Sequence, residues 1–392
     1  METGDICELR MESIAAGGDA LARVEGKPVF IEKGAPDETA VCRITENRKT
    51  WARAELMEIK IPSPLRTREK CAFCGNCAKG INCGGCNLQH LNYNAQLEAK
   101  TAILTDSFLK IAAINPPQPE VFPSPPWEYR NRMQFHCFRE KGKTSKFGLM
   151  GPGGRIAAIS DCPVAVPQIR EVLKGSRILP LPPDKDRFTV FAKDGVFLSE
   201  GETQRGKIAL LDREILLDAG VFFQSNCFML EKLVLELKKT AESADRNLPA
   251  ADLYCGIGTF AVFLKDLFPK IILAEENKTS VSLARENLKG TNACYYALRD
   301  IEWADAFLNT KPAREKFGFI TADPPRAGLA AGLAAVLAQN GPPVIAYVSC
   351  DAASLSRDSK ILVNGGYELK ELKLFDFYPQ TAHIESLAVF EK

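Results

Sequence analysis

The chain has 392 residues, 46% of them hydrophobic, so it is long enough for two or three domains with full apolar cores. Its formal net charge of +1 excludes a global attraction to nucleic acid or membranes, so any basic patch must be local. No run approaches the length of a membrane-spanning helix and the first residues lack a signal-peptide pattern, so we expect a soluble cytoplasmic protein. The 13 cysteines therefore indicate metal binding or catalysis rather than disulfides.

Residues 1–60 have the pattern of a small all-β module. Short apolar stretches such as residues 28–31 alternate with turns rich in glycine. Strands at this spacing predict a barrel of OB type, a fold that often binds nucleic acid. The segment carries 9 Lys/Arg against 12 Asp/Glu, so a packing role is nearly as well supported. Only the hairpin-like stretch from Arg43 to Arg53 has the composition of an RNA-binding surface.

A cysteine-rich loop follows a proline-marked linker and is the strongest metal signal in the chain. It contains Cys71, Cys74, Cys77, Cys83 and Cys86. The two C-x2-C pairs suit a zinc knuckle, and spacing alone favours this alternative because all four ligands are local. Alternatively, the last three thiols join the remote Cys162 in an iron–sulfur cluster. Unliganded thiols are improbable here, since clustered exposed thiols oxidise.

The next segments predict a helix and then a basic β region. Residues 93–113 have helical periodicity, and a proline-rich bridge leads to Tyr-Arg-Asn-Arg at 129–132. Seven basic residues and one acid between residues 130 and 155 give the strongest local positive field in the chain. A solvated face is the simpler interpretation, but we predict a surface that follows RNA phosphates, because aromatic residues that could stack on bases are interleaved. These aromatic residues are Phe135, Phe138 and Phe147.

Residues 250–263 read as a strand, a tight turn and a helix, with Gly256 and Gly258 in the turn. The next strand, residues 271–274, runs into Glu275, where a carboxylate can accept both hydroxyls of a ribose. The loop reads G-x-G-T rather than G-x-G-x-x-G, so it favours a nucleoside ligand without a pyrophosphate, such as S-adenosylmethionine. On this loop alone, an ordinary strand–turn–helix junction is equally well supported.

Two further predicted strands end in reactive side chains. One ends in Asp-Pro-Pro-Arg at Asp323, and the other ends in Ser-Cys at Cys350. The ligand crevice of a doubly wound sheet lies beyond the carboxyl ends of its strands, so we expect these residues and Glu275 to open onto one crevice. Glu385 follows His383 by two residues, and in an extended segment both would face one side.

A cysteine, a carboxylate and a methyl donor together suggest one reaction. The thiolate adds to carbon 6 of a pyrimidine, carbon 5 then takes the methyl group, a base removes the carbon 5 proton, and elimination frees the cysteine. Enzymes that methylate exocyclic amines of bases carry a similar tetrapeptide that ends in an aromatic residue. Arg326 stands at that position here, which argues against amine methylation and leaves Asp323 to orient the pyrimidine.

Over nearly its whole length the chain resembles the RNA uracil carbon-5 methyltransferase family, of the iron–sulfur type that modifies 23S ribosomal RNA. The resemblance rests on a series of motifs in the family order: Cys83-Gly-Gly-Cys86-x-x-Gln89-His90, Tyr129-Arg130-Asn131-Arg132, Phe223-Gln224-x-Asn226, the loop 252–260, Asp323-Pro-x-Arg326-x-Gly328, Ser349-Cys350 and His383-x-Glu385. It implies an α/β architecture: an OB-like TRAM barrel over residues 1–62, a central iron–sulfur α+β domain over 63–214 and a Rossmann-like methyltransferase domain over 215–392. Helix 93–113 is expected to pack on the catalytic domain.

The resemblance also implies roles for individual residues. Cys350 would be the nucleophile, Glu385 the general base, and Asp323 a further catalytic residue. S-adenosylmethionine and uracil would be bound by Gln224, Tyr254, Gly256, Thr259, Glu275, Asp300 and Asp323. A [4Fe–4S] cluster would be held by Cys77, Cys83, Cys86 and Cys162. Substrate RNA, ribosomal RNA above all, would meet Arg130, Arg132 and His383. We expect a monomer without an obligate protein partner.

Two departures from the family pattern leave questions open. Asp351-Ala352 follows the cysteine where the family usually has Asn-Pro, and the loop before Cys83 is longer than usual, so Cys71 is the alternative to Cys77 as first cluster ligand. Two other functions also stay open at this point. One is a transfer RNA uridine methyltransferase with the same chemistry, and the other is a non-catalytic RNA-binding protein with a structural zinc loop.

Overall fold

A computed structural model describes residues 1–74, 83–138, 146–177, 179, 186–309 and 316–392. Cys77 and three of the predicted basic residues, Arg139, Lys141 and Lys143, lie outside the described residues. The chain forms two compact units. The first comprises Met1–Ile103, Phe135–Val164 and Tyr378–His383, and the second comprises Leu104–Gln134, Ala165–Phe377 and Ile384–Lys392. The division into three domains inferred from the sequence stays a prediction.

The first unit begins with a closed five-stranded barrel, as the pattern of residues 1–60 predicts. Its strands are β1 (Ile6–Ile14), β2 (Ala20–Val24), β3 (Lys27–Ile31), β4 (Thr39–Asn47) and β5 (Ala52–Ile61). They close in the order β1-β2-β3-β5-β4, so no strand edge is left open. Alternate side chains fill the interior, as Met11, Val29 and Ile44 show by being at most 1% exposed. The predicted hairpin corresponds to β4 and β5.

Buried polar contacts fix the segments that follow the barrel. The Arg66 guanidinium donates to both oxygens of the fully buried Glu38 carboxylate, at 2.6 and 2.5 Å. Gln96 and Gln380 form a reciprocal pair, in which each is buried and donates to the other, at 3.1 and 2.8 Å. The predicted helix is α1 (Tyr93–Ser107), continued by a π-helical turn at Phe108–Ala112.

The basic region of the first unit is built on antiparallel strands. They are β7 (Arg132–Phe138), β8 (Lys146–Met150) and β9 (Ile156–Ala158), with a 3-10 turn at Pro152–Gly154. Phe135 is fully buried and packs against Phe147, with ring centroids 5.9 Å apart. The prediction that Phe135 stacks on bases was therefore wrong, because the strand alternation turns its side chain into the core.

The second unit opens with smaller elements before its main sheet. These are β6 (Glu120–Phe122), α2 (Pro167–Lys174), β10 (Arg187–Lys193), β11 (Val196–Ser199), β12 (Arg205–Leu210), β13 (Arg213–Asp218) and α3 (Cys227–Glu242). The β10–β11 and β12–β13 pairs are antiparallel hairpins. Among the described residues, no helix is long and apolar enough to cross a lipid bilayer.

An eight-stranded sheet forms the core of the second unit, in the order β16-β15-β14-β17-β18-β20-β19-β6. Its remaining strands are β14 (Ala250–Leu253), β15 (Ile271–Ala274), β16 (Ala293–Tyr296), β17 (Phe319–Ala322), β18 (Val344–Ser349), β19 (Glu368–Phe375) and β20 (Glu385–Glu391). Helices alternate with them: α4 (Thr259–Leu264), α5 (Lys278–Asn287), α6 (Asp300–Ala304) with a π-helical turn at Asp305–Asn309, α7 (Leu333–Asn340) and α8 (Ala352–Asn364).

The direction of each strand determines which chain ends meet. Strands β14 to β18 run parallel, and strand order reverses around β14, with β15 on one side and β17 on the other. Such a reversal is where doubly wound sheets bind ligands. The edge strand β6 pairs parallel with β19, and Phe122 stacks on Phe375 with ring centroids 4.5 Å apart. The sheet thus includes a strand far upstream of residue 215, which the sequence pattern did not reveal.

Candidate active site

Strand register brings the predicted reactive residues to one edge of the sheet. Leu253 of β14 lies level with Ala274 of β15 and with Ala322 of β17. The residues that follow these strand ends, including Glu275 and Asp323, therefore emerge side by side. Cys350 follows the next parallel strand, β18, so the carboxyl ends of four strands present the groups that the sequence predicted there.

Glu385 reaches the same edge by a different route. It is the first residue of β20, which runs antiparallel to β18, with Ser386 opposite Ser349. The beginning of β20 therefore lies beside the end of β18, and the Ser386 hydroxyl donates to the Ser349 carbonyl at 3.2 Å. This pairing places the Glu385 carboxyl near the Cys350 thiol although 35 positions separate them in the chain (385 minus 350).

The Cys350 thiol lies among three charged groups. Burial, followed by the Glu385 and Asp323 carboxyl groups, raises its pKa, the Arg326 guanidinium opposes them, and the result is a pKa of about 12. Burial also raises the pKa of Glu385 well above its usual range, with Asp323 adding to the shift and Arg326 opposing it. Arg326 is thus the one cation among these neighbours that favours the ionised forms of both groups. Sequence reasoning used Arg326 only to exclude amine methylation.

Asp323 faces a neutral partner. The Gln224 amide donates to its carboxylate at 3.4 Å, but burial outweighs that bond and raises the pKa of Asp323 to about 7. One oxygen of the Glu385 carboxyl, Oε1, is buried without a hydrogen-bond partner within the described residues. The crevice therefore holds two carboxyl groups whose pKa values are raised by burial, that of Asp323 to about 7.

Two buried asparagines hold Gln224 in place. Asn131 donates its backbone N–H to the Ser225 carbonyl at 2.7 Å, and its side-chain oxygen accepts the Cys227 N–H at 3.1 Å. Asn226 caps α3 by accepting the Met229 N–H at 3.2 Å, and its amide donates to the Phe377 carbonyl at 3.0 Å. The motifs contained both residues, but sequence reasoning singled out the arginines beside Asn131 instead.

The glycine turn after β14 forms the candidate cofactor loop. Tyr254, with a φ of 57°, and Gly256, with a φ of 53°, are both in the left-handed region, which is unusual for tyrosine. Glu275 accepts the Gly256 N–H at 3.1 Å, so the acidic side chain and the loop are joined. Thr259 begins α4 and is half-buried. Gly258 is needed for space as well, because a Cβ there would lie 3.1 Å from a Leu288 methyl.

The Tyr254 hydroxyl connects the cofactor loop to two neighbouring segments of the chain. The Tyr254 hydroxyl donates to the Asp300 carboxylate and accepts the Ala330 N–H at 3.0 Å. Burial and Asp300 together raise the pKa of Tyr254, so it stays a neutral donor. Strained backbone at a residue with two polar contacts is a common property of ligand sites.

The residues predicted to meet RNA have separate environments. The Arg132 guanidinium donates to the Val221 carbonyl at 3.3 Å and lies over the Phe222 ring, 5.7 Å from its centroid. Arg130 is half-buried and donates to the Arg132 carbonyl at 3.3 Å. His383 is exposed whereas Glu385 is only 3% exposed. The expectation that these two share one face was wrong, because β20 begins only at Glu385.

In the first unit, thiols from the cysteine-rich loop face one another. The neighbours of Cys86 are Cys162, Cys74 and Cys83, and the neighbours of Cys71 include Cys162. Burial is the main cause that raises the pKa of both Cys86 and Cys71. The remote Cys162, which the sequence nominated, thus lies with the loop cysteines.

Cys74 has different partners. The Lys33 ammonium donates to its sulfur at 3.2 Å, and the thiol donates to the Cys86 carbonyl at 3.2 Å. Lys33 also pairs with Glu69 at 2.7 Å. Protein groups therefore already bind Cys74. Within the described residues, no three side chains of His, Cys, Asp or Glu are arranged to hold a metal ion.

Gln89 is a buried amide directed at the same cysteines. It is 2% exposed, and its oxygen accepts the Cys71 N–H at 3.1 Å. Its Nε2 faces the Cys86 sulfur but has no full hydrogen bond in the described structure. A buried N–H without an acceptor is costly, and a thiolate at Cys86 would supply a stronger acceptor than the thiol does. This donor set therefore suits ligating thiolates.

Comparisons with known proteins agree with this site. Residues 203–392 match the family model described as tRNA (Uracil-5-)-methyltransferase, and residues 2–57 match the TRAM domain. RNA methyltransferases of Treponema denticola and Aquifex aeolicus, neither characterised, are 30% and 31% identical, and each alignment covers 98% of both chains. The 23S rRNA (uracil(1939)-C(5))-methyltransferase RlmD of Shewanella denitrificans is 28% identical over 95% of this chain and 93% of its own.

A solved structure has the same fold. The tRNA (uracil-54, C5)-methyltransferase of Pyrococcus abyssi, in complex with S-adenosyl-L-homocysteine, superimposes with a TM-score of 0.72 at 22% identity, covering 98% of this chain and 100% of that one. Fold and site together define an S-adenosylmethionine-dependent methyltransferase with an N-terminal TRAM barrel. The chain belongs to the RNA uracil-5 methyltransferase family, which confirms the resemblance drawn from its motifs.

Proposed function

We propose that this enzyme methylates carbon 5 of a uridine in 23S ribosomal RNA through a covalent adduct with Cys350. The observation that carries the proposal is the grouping of Cys350, Asp323 and Arg326, which follow the carboxyl ends of β18 and β17, with Glu385 at the start of β20. Carbon 5 of uracil is a weak nucleophile, so a thiolate must first add to carbon 6. Arg326 favours the charged thiolate that this addition requires.

Two residues suit recognition of the uracil edge. Uracil presents an N–H flanked by two carbonyl groups. Asp323 supplies an acceptor for that N–H, and the Gln224 amide, 3.4 Å from the Asp323 carboxylate, supplies a donor for a neighbouring carbonyl. Two polar groups in fixed relation discriminate against a cytosine edge, which presents an amine in place of one carbonyl.

Glu385 suits the role of general base. Addition of Cys350 to carbon 6 and methylation at carbon 5 leave one proton on carbon 5, and its removal expels the thiolate and restores the double bond. Burial raises the pKa of Glu385, which makes the ionised carboxylate a stronger base than an exposed one. The unpaired Oε1 keeps one oxygen available for that proton.

The cofactor loop suits S-adenosylmethionine. Glu275 would accept the ribose hydroxyls, and the loop residues Gly256 and Thr259, with Tyr254 and Asp300, would enclose the rest of the nucleoside. S-adenosylmethionine supplies the methyl group when bound. The strained Tyr254 and the Glu275–Gly256 hydrogen bond support this assignment.

We assign the cysteine-rich loop to a [4Fe–4S] cluster held by Cys77, Cys83, Cys86 and Cys162. The convergence of Cys162 on the loop supports this, because a zinc knuckle would need only the local pairs. The Gln89 amide suits a thiolate at Cys86.

The ribosomal target rests on the RlmD relatives, which align with nearly the whole chain. Arg130, Arg132, the exposed His383 and the barrel would bind the RNA around the target uridine, and the chain would act as a monomer. The alternative is transfer RNA, which the family model and the Pyrococcus abyssi enzyme carry in their names.

The test is methyl transfer to RNA from a strain that lacks this gene. Purified enzyme and labelled S-adenosylmethionine are incubated separately with 23S ribosomal RNA and with transfer RNA, and nuclease digests are analysed by mass spectrometry. We expect 5-methyluridine at one or two positions of 23S RNA. If 5-methyluridine formed in transfer RNA alone, the substrate would be transfer RNA. Methylation of another base atom would refute the proposed chemistry.

A further inference from the structure

Residues 323–330, called the catalytic loop below, carry Asp323 and Arg326 from β17 towards α7. The loop turns at Gly328, whose φ is 82° and whose N–H donates to the Pro325 carbonyl at 2.8 Å. Its two functional side chains must face Cys350, which belongs to a different strand end. The position of this loop relative to β18 and α8 therefore decides the geometry of the site.

A buried carboxylate in α8 binds the catalytic loop. Asp358 is 2% exposed, and its Oδ2 accepts the Leu329 N–H at 2.9 Å and the Tyr347 hydroxyl at 2.8 Å. Its Oδ1 accepts the Arg357 guanidinium at 2.8 and 2.9 Å. A buried charge needs such partners, and here one of them is the backbone of the loop itself.

Arg357 and Gly328 complete the attachment. The Arg357 guanidinium donates to the Ala327 carbonyl at 2.9 Å, so the loop is held through both an N–H and a carbonyl group. A Cβ at Gly328 would lie 2.5 Å from Asp358 Oδ2 and 2.6 Å from Arg357 Nη2. Glycine is thus required at this position by the close approach of the Arg357–Asp358 pair as well as by its φ.

The helix that carries Asp358 begins beside the nucleophile. Asp351 follows Cys350 directly and caps α8 by accepting the Ser354 N–H at 2.8 Å. One rigid helix therefore connects the end of β18 to the anchor of the catalytic loop. A shift of the loop along α8 would change the distances from Cys350 to both Asp323 and Arg326.

We propose that Asp358 is a positioning residue for methyl transfer: it fixes the catalytic loop against α8, so that Asp323 and Arg326 are held in their places facing Cys350. This rests on the proposed role of Cys350 as nucleophile. Asp358 makes no hydrogen bond to the proposed uracil-binding or cofactor-binding residues in the described contacts, although its charge contributes to the raised pKa of Tyr254. Its hydrogen bonds reach the site through the catalytic loop, whose Ala330 N–H donates to the Tyr254 hydroxyl. Its loss should slow the covalent step more than it weakens cofactor binding.

The test uses the full chain and RNA with 5-fluorouridine in place of the target uridine. S-adenosylmethionine is present, so carbon 5 receives the methyl group after Cys350 has added to carbon 6. The fluorine then leaves no proton for the base to remove, the adduct with Cys350 accumulates, and its formation rate is read on a denaturing gel. In Asp358→Asn we expect this rate to fall about 10- to 100-fold, the loss typical of groups misplaced by about 1 Å. Affinity for S-adenosylhomocysteine should change less than about threefold, within the context-dependence of single contacts.

The pH profile of adduct formation distinguishes a loss of positioning from a general loss of stability. Arg326 lowers the pKa of Cys350, whereas Glu385 and Asp323 raise it, so a displaced loop removes the favourable cation as well as one carboxylate. Of Arg326 and Asp323, Asp323 has the larger effect on the pKa of Cys350, so we expect the rise of adduct formation to move to lower pH in Asp358→Asn. The control is Leu362→Ala, a fully buried residue of the same helix, which should lower thermal stability without moving the pH profile.

A second variant, Arg357→Met, tests the same role if Asp358→Asn does not fold. Arg357 is half-exposed, and Arg357→Met removes one of the two loop attachments, while the Asp358 carboxylate loses its cation but keeps the Leu329 N–H and the Tyr347 hydroxyl. It should slow adduct formation in the same direction by a smaller factor. Folded Asp358→Asn or Arg357→Met with the wild-type adduct rate and pH profile would overturn the positioning role alone. Absence of an adduct in the wild-type enzyme would instead overturn the nucleophile assignment and this inference with it.

Discussion

The active-site crevice and the cysteine-rich loop each hold a half-buried thiol, Cys350 and Cys86, and the two differ in the neighbours of the sulfur. In the active-site crevice, Cys350 faces two carboxyl groups and one guanidinium. In the cysteine-rich loop, Cys86 faces three further thiols. Burial raises the pKa in both places, so burial alone does not distinguish a nucleophile from a ligand.

The groups beside each sulfur distinguish the nucleophile from the metal ligand. A nucleophile must gain and lose its charge during each turnover, and titratable groups of both signs around Cys350 allow that. A metal ligand gives up its proton once, and thiols without a nearby cation remain protonated until a metal takes the proton's place. The identities of the contacting groups therefore assign chemistry that the burial of each sulfur leaves open.

The substitution Cys350→Ala tests the difference between the two thiols with the largest expected effect. We expect methyl transfer to fall by at least about 10³-fold, because the uncatalysed addition has no substitute nucleophile. Affinity for S-adenosylmethionine should stay within about threefold, since the thiol is not among the contacts of the cofactor loop. Cys294→Ala, on β16 of the same sheet, is the matched control and should retain activity. Substantial turnover in Cys350→Ala would remove it from the nucleophile role.

Glu385→Gln should stop the reaction one step later. Addition and methyl transfer precede proton removal, so turnover should fall about 10²- to 10⁴-fold while RNA stays attached to Cys350. The measurement is a cofactor-dependent shifted band on a denaturing gel with ordinary substrate RNA. Glu391→Gln, at the other end of β20, should show neither effect. If turnover is lost without the band, the base is another group, with Asp323 the first to examine.

The pH dependence sharpens the distinction between the two regions. Cys350 and Glu385 must be ionised to act, and their raised pKa values mean that the ionised forms are gained as the pH rises. We expect kcat/KM to increase from pH 6 to pH 8, with Asp323, whose pKa is about 7, contributing in the same range. Arg326→Gln should move the rise to higher pH and cost about tenfold at pH 7.5, as a shift of one pKa unit implies. A flat profile would contradict this electrostatic account.

The smallest catalytic effect is expected in the cysteine-rich loop. Cys83→Ser and Cys86→Ser should lose bound iron, lower RNA affinity and reduce solubility, while methyl transfer at saturating RNA changes little. The cluster would hold an RNA-binding region in shape, since it closes a long segment of chain between Cys86 and Cys162. Iron per chain and RNA affinity at fixed salt are the measurements, because affinity depends steeply on ionic strength.

Two serine variants serve as controls for this assignment. Cys74→Ser should keep its iron because Lys33 already binds that thiol, and Cys71→Ser should keep it if Cys77 is the first ligand. Retention of metal in Cys162→Ser, together with its loss in Cys71→Ser and Cys74→Ser, would establish the zinc knuckle instead. The proximity of Cys71 to Cys162 makes the Cys71 variant the more decisive of the two.

Much of the active site could be predicted because its residues follow strands. Short apolar segments predicted strands that end at Glu275, Asp323 and Cys350, and the parallel arrangement of those strands brings the three residues together. The position of Glu385 depended on an antiparallel last strand, which no local pattern announces. Arg326 and Asp358 act through contacts with other segments of the chain, so periodicity and spacing gave no signal for their partners.

Elements of the fold were likewise predicted where the signal lies in neighbouring residues, and missed where it depends on contacts with other parts of the chain. The barrel was predicted from turn spacing, and helix α1 from its periodicity. The burial of Phe135 was missed because a basic neighbourhood suggested a surface, whereas strand alternation decides the direction of each side chain. The edge strand β6 was missed because it has only three residues, too few for any period.

That edge strand sets a limit on dividing the protein. Pairing of β6 covers one side of β19, and the Asn226 amide donates to the Ser124 hydroxyl just beyond β6 at 3.0 Å. A fragment cut at residue 215 would keep every proposed catalytic group but expose the backbone of β19 and leave a buried amide N–H without its acceptor. Open strand edges pair with other chains, so such a fragment should self-associate unless residues 120–124 are supplied with it. The upstream segment is therefore an integral part of the catalytic sheet.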